Sequence, residues 1–161
     1  MLGDDQRTWT SRAIAAAETA WTVLGSPVVF GPLEVDGRVN TDAWDGFAGE
    51  RDSIAADLRA GSGRPLVLSG DVHAEVVLET PGAPAIPELV CPSISSLFGD
   101  SLGADASALP DLVPNVRHAA DRRGWLRVDL HSTGDLVAGY REVVDAADLD
   151  SAVVAGPSFR L

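Results

Sequence analysis

The apolar pattern of the chain changes period along its length, and each change marks an element. Leu2, Gln6, Trp9, Ala13, Ala16 and Ala20 fall at alternating steps of four and three, which puts them on one face of a helix predicted over residues 3–19. Gly3 with Gln6 three residues on resembles a capping box, and Asp4 and Asp5 suit the positive end of a helix. WTVLGSPVVF (21–30) is rich in β-branched and aromatic residues and predicts a strand interrupted at Gly25-Ser26-Pro27. After a turn-rich loop over 31–46, Phe47, Ile54 and Leu58 share one face of a second helix, predicted over 47–60 and stopped by Gly61 and Gly63.

From here the period shortens. PLVLSG (65–70) is a continuous apolar run that suits a strand buried on both faces. AEVVLET (74–80) and ELVCPS (88–93) predict two further strands. Residues 94–124 are rich in Gly, Pro, Ser and Asp and read mostly as loop. GWLRVDLH (124–131) alternates as a half-exposed strand does, and the STG turn that follows makes DLVAGYREVV (135–144) the second strand of a hairpin. The tail, 146–161, is expected to be loosely ordered. Helix, strand, helix, strand and then several strands predict an α/β layer arrangement, with a sheet completing a sandwich, in a single segment spanning 1–161.

Composition narrows the function classes. Acidic residues outnumber basic ones 24 to 12, for a formal charge of -12, so phosphate backbones and anionic lipid surfaces repel this body. A phosphorylated substrate would need metal ions or local arginines to overcome that field. The one cysteine, Cys91, allows no internal disulfide and leaves the redox compartment open. No apolar run reaches transmembrane length, and MLGDDQRTW lacks the basic and apolar regions of a signal peptide. Localisation is left open.

The candidate chemistry centres on SGDVH (69–73). If the strand continues, Asp71 and His73, two apart, point to the same side, beyond the carboxyl end where α/β sheets collect ligands. Both types ligate divalent or trivalent metals, although a site needs about three to six donors. A Gly-Asp turn at a sheet edge is the other reading. Asp129 and His131 repeat the D-x-H spacing on an alternating strand and are expected on its solvated face. His118, near Arg117, Arg122 and Arg123, reads as part of a solvated loop that could also meet an anion. Cys91 reads as core. Trp44 and Asp45 in DAWDGF either line a pocket or belong to the start of the second helix, with Asp45 as its N-cap.

Taken in order, MLGDDQRTW, AWTVLGSPVVF, DAWDGFAGERDSI, PLVLSGDVH, ELVCPSISS and NVRHAADRRGWLRVDL resemble the C-terminal half of PhoD-like (alkaline phosphatase D) metallophosphatases, over about residues 1–145. DAWDG followed at this distance by LSGDVH carries most of the specificity. The resemblance implies part of a metallophosphoesterase-type αββα sandwich, with a mixed sheet flanked by helices. It implies hydrolysis of phosphomonoesters or phosphodiesters at a cluster of calcium and iron. Carried over, Asp71 is a metal ligand and His73 is a ligand or a catalytic neighbour of the phosphoryl group; Trp44 and Asp45, from the loop reading, are the candidate substrate-binding residues.

The family's other metal motifs, an acid-rich segment, a GD motif and a DDHE-like motif, do not occur in this chain. The resemblance therefore implies that Met1 is internal to a longer protein and that the chain alone has an incomplete, inactive site. It also implies that apolar surface is exposed where the N-terminal half packs. The expected partners are a small phosphoester substrate and that N-terminal half. The alternative is a non-catalytic interaction domain built on the same fold.

Overall fold

The fold is described from a computed structural model covering residues 1–96, 98 and 105–161. Helix α1 spans Asp4–Ala15, followed by strand β1 (Trp21–Gly25), a 3-10 turn (Trp44–Phe47), helix α2 (Ala48–Ala60) and strands β2 (Arg64–Ser69), β3 (Glu75–Thr80) and β4 (Ile86–Val90). A short helix α3 (Leu109–Leu112) leads into β5 (Val116–Ala120), β6 (Gly124–Leu130), β7 (Leu136–Val143) and β8 (Val153–Arg160). The α/β class expected from the pattern is the class observed.

Two sheets form. The larger has the order β1-β2-β4-β3-β5 and the smaller β6-β7-β8. β1, β2 and β4 run parallel, while β3 pairs antiparallel with both β4 and β5. The smaller sheet is antiparallel throughout. Because β1, β2 and β4 share a direction, their carboxyl ends lie along one margin of the sheet. Segments 26–33, 70–74 and 91–96 all leave from that margin.

One face of the larger sheet is covered by the helices, the other by the smaller sheet. On the helix side Phe30, Trp44, Ile54, Ala55, Leu58, Val67 and Ile86 pack into one cluster. On the same side Val76, Leu78 and Val90 pack with Phe98, Leu109 and Val116. On the opposite face Leu66, Val77 and Leu89 meet Leu136, Ala138 and Tyr140. The phenol of Tyr140 bridges the two sheets, reaching the carbonyl oxygens of Val76 and Val90 at 3.0 Å each.

Three expectations change. Residues 116–120, read as loop, form β5, which pairs with β3 although VRHAA carries little apolar signal of its own. The expected loop residues 97 and 99–104 lie outside the described residues. The tail is not loose over 153–160: it is β8, hydrogen-bonded along β7. Gly156 and Pro157 interrupt the alternation that would have announced it. In α1 the buried residues are Thr10 and Ile14. The predicted apolar face points outward, and Trp9 is 68% exposed. Polar contacts decide this, because Arg7 pairs with Asp57 at 2.8 Å and Ser11 donates to the same carboxylate at 2.8 Å, which turns that side of α1 toward α2.

Candidate functional site

β2 delivers SGDVH to the carboxyl margin, where the chain does not stay extended. Asp71 and His73 both adopt left-handed backbone, with φ of 79° and 59°. Same-side presentation by strand alternation therefore does not apply; a tight turn presents the two side chains. Asp71 is exposed and His73 is half-buried. Left-handed backbone costs a non-glycine residue about 1–2 kcal/mol, and such strain concentrates where function over-determines the backbone.

Beneath this turn lies a group that sequence reading passed over. Glu88 of β4 is fully buried, and its carboxylate accepts hydrogen bonds from the backbone N–H groups of Phe30 at 2.9 Å and Gly31 at 2.7 Å. It also accepts from the Ser69 hydroxyl, the last side chain of β2. Burial pushes the Glu88 carboxyl above its usual range, against the lowering effect of these donors. A side chain at Gly31 would force its neighbours to shift, because a Cβ would sit 2.8 Å from the Leu78 side chain and 3.1 Å from the Glu88 carboxylate. The sequence signal was available, since a glutamate inside the apolar run ELV needs partners, but the partners are distant in sequence.

Trp44 and Asp45 grip the same 26–33 segment from the other side. The Trp44 ring is buried, edge-on to Phe30 at 5.4 Å, and its indole N–H donates to the Ser26 hydroxyl at 3.1 Å. Asp45 accepts from Arg51 at 2.6 Å and from the Leu33 backbone N–H at 3.0 Å. It is not an N-cap: the 3-10 turn starts after Ala43 and α2 after Phe47, neither with a side-chain cap. Residues 26–33 are thus held between DAWDG and Glu88, and Glu88 in turn holds Ser69 at the root of the SGDVH turn.

The remaining candidates are placed elsewhere. His118 lies in β5, its Nε2 3.5 Å from the buried Glu75 carboxylate, between the rings of Tyr140 and Phe159. Arg117 pairs with Glu79 at 2.7 Å and Arg122 with Glu142 at 3.4 Å, so carboxylates of the chain itself neutralise two of the three clustered arginines. Asp129 pairs with Arg127 at 2.9 Å on the outer sheet, and His131 is exposed in the turn beyond it, as expected of a solvated face. Cys91 is half-buried just past β4. Among the described residues no group of three or more His, Cys, Asp or Glu side chains could hold a metal ion, and no helix is long and apolar enough to cross a membrane.

The comparisons with known proteins agree with this layout. No curated protein matches the chain. A solved structure, described as "Structure of PhoD", superposes with a TM-score of 0.76 at 19% sequence identity, over 99% of this chain and 33% of that one. The chain thus spans about one third of the length of that protein. The sequence model of the PhoD-like phosphatase family matches residues 1–136. With a family match over most of its length and the fold of a solved PhoD, the chain belongs to the PhoD-like phosphatase family.

Proposed function

We propose that the chain is part of a metal-dependent phosphoester hydrolase. In this reading Asp71 is a metal ligand, and His73 is a second ligand or the neighbour of the phosphoryl group. The observation that carries the reading is the SGDVH turn. In a chain of the PhoD-like family it places two ligand-type side chains on left-handed backbone, at the margin where three parallel strands end. Among the described residues no third ligand-type side chain joins these two, and two donors do not make a complete centre; in this reading further ligands come from elsewhere and the chain alone is inactive. When bound, metal ions such as calcium and iron would polarise phosphoryl oxygens and acidify a bound water.

The chain's own residues have separate parts in this reading. Asp71 brings a carboxylate to the margin, and His73 brings an imidazole that can hold or pass a proton. Glu88 and Ser69 fix the root of the turn, while Trp44 and Asp45 shape the substrate side through the 26–33 segment they hold. A formal charge of -12 disfavours an anionic phosphoester in the absence of cations, and Arg117 and Arg122 are already paired with Glu79 and Glu142, which supports a metal-dependent site over one lined by those arginines.

The test grafts residues 1–161 in place of the matching third of the solved PhoD and assays a chromogenic phosphoester with Ca²⁺ and Fe³⁺. Turnover is expected in the graft and near background in the chain alone. Asp71→Ala is expected to lower graft turnover by about a thousandfold. Equal turnover with and without Asp71→Ala would overturn the assignment, and robust turnover by the chain alone would overturn its incompleteness.

A further inference from the structure

The turn DRRG (121–124) has no part in the reading above, yet the fold brings it to the same margin as SGDVH. β5 runs antiparallel to β3, and its last residue, Ala120, pairs with Glu75, the first of β3. His73 stands two residues before Glu75, and Arg123 three after Ala120. Both therefore belong to segments that leave adjacent strands at one margin. Backbone bonds fix the turn in place. The Gly124 N–H donates to the Ser93 carbonyl oxygen at 3.0 Å, the Val143 N–H to the Arg123 carbonyl oxygen at 2.8 Å, and the Phe98 N–H to the Asp121 carboxylate at 3.2 Å. A Cβ on Gly124 would meet the Arg141 carbonyl oxygen at 1.8 Å, so a side chain there would drive the two strands apart.

The 12 basic residues of the chain are all arginines. Arg7, Arg51, Arg117, Arg122, Arg127 and Arg160 are ion-paired. Arg59, Arg64 and Arg141 donate to backbone carbonyl oxygens, and Arg12 and Arg38 are exposed. Arg123 fits none of these cases. It is half-buried, and among the described residues it has no ion pair, while its Nε is buried without a hydrogen-bond partner. A buried guanidinium N–H costs free energy until it meets an acceptor. Carboxylates are abundant in a chain of formal charge -12, yet among the described residues none sits against this guanidinium. The planar fork of arginine matches the oxygens of a phosphoryl group.

We propose that Arg123 is a substrate-binding residue, whose guanidinium donates to a non-bridging oxygen of the phosphoester presented to Asp71 and His73. Arg123 makes and breaks no bond. It holds the anion alike before and during the reaction, and so selects for a charged phosphoryl group at this margin. Of the three arginines clustered around His118, it alone is available for this, since Arg117 and Arg122 are engaged by Glu79 and Glu142. The identity of the ligand as a phosphoester rests on the phosphatase reading above, whereas the anion site rests on Arg123 itself.

Steady-state kinetics of the graft test it. Arg123→Met is expected to raise KM for the chromogenic phosphoester about tenfold and to change kcat by less than about threefold, the pattern of an interaction made equally in ground and transition states. Arg123→Lys keeps the charge without the fork and should recover part of that loss. Arg122→Met, at a guanidinium already paired with Glu142, should leave KM within about twofold. An unchanged KM in Arg123→Met overturns the proposal. A lowered melting temperature with a KM loss that Arg123→Lys does not reduce overturns it in favour of a structural brace. An inert graft defeats the phosphatase reading alone, and the chain itself then decides the anion site. There the ¹⁵N–¹H signal of the Arg123 Nε is expected to shift saturably with inorganic phosphate and not with chloride at matched ionic strength. A signal unmoved by phosphate overturns the site.

Discussion

Glu88 and Glu75 sit on neighbouring strands, one facing the helix side of the larger sheet and the other the smaller sheet, and both are fully buried. Their surroundings differ. Glu88 accepts from two backbone N–H groups and a hydroxyl, so its oxygens are used. Glu75 has one long contact to His118 at 3.5 Å, and its Oε1 has no hydrogen-bond partner among the described residues. A buried carboxylate stabilises a fold only through what it satisfies. The helix side is therefore stitched by its carboxylate, whereas the sheet–sheet side is held by apolar packing and by Tyr140.

Glu88→Leu breaks the comparison most sharply. Phe30 N–H, Gly31 N–H and the Ser69 hydroxyl would all lose their acceptor, and a loss of about 4 kcal/mol in unfolding free energy is expected by urea titration. On the other face Tyr140→Phe removes only the bridge to Val76 and Val90, with an expected loss of about 1.5 kcal/mol by the same titration. Glu75→Leu should change stability by less than about 1 kcal/mol in either direction, because it removes a poorly paired buried carboxylate. A loss comparable to that of Glu88→Leu would show that the Glu75–His118 contact is a full ion pair.

The pH dependence sharpens the same contrast. Glu88 has its carboxyl raised above the ordinary 4.5 by burial. Between 4.5 and its folded value the native state holds the proton and the unfolded state does not. Its contribution is thus fully present below 4.5 and falls away as pH climbs through the folded value. Thermal unfolding from pH 4 upward should show this decline, and Glu88→Gln should flatten it.

Much of the site's frame was legible from local pattern. SGDVH does stand at the end of a buried strand, because a continuous apolar run followed by Ser-Gly admits little else. DAWDG does open α2. The placement of Trp44 and Asp45 was less legible. The same residues suit a pocket wall or an internal brace, and the partners that make them a brace, Ser26 and Leu33, are known only once the chain folds back. Asp71 and His73 were legible as ligand types but not as left-handed residues, since two non-glycine side chains on such backbone are held there by the surrounding turn and not by their own preference.

By itself, the sequence determined the elements whose signal is local: two helices, the apolar strands β2, β3 and β4, the hairpin at the STG turn, and the motifs that carry the family resemblance. Only the tertiary structure decided the strands whose reason to exist is a neighbour. β5 forms because β3 offers an edge, and β8 because β7 does, although VRHAA and VVAGPSFR carry weak patterns alone. It also decided which side of α1 is buried. Periodicity names an apolar face, but burial goes to the side that finds partners, and in α1 the ion pair of Arg7 with Asp57 turned a more polar side inward. The apolar face remained open beside β1, because packing is settled between elements, after the pattern within each has already been written.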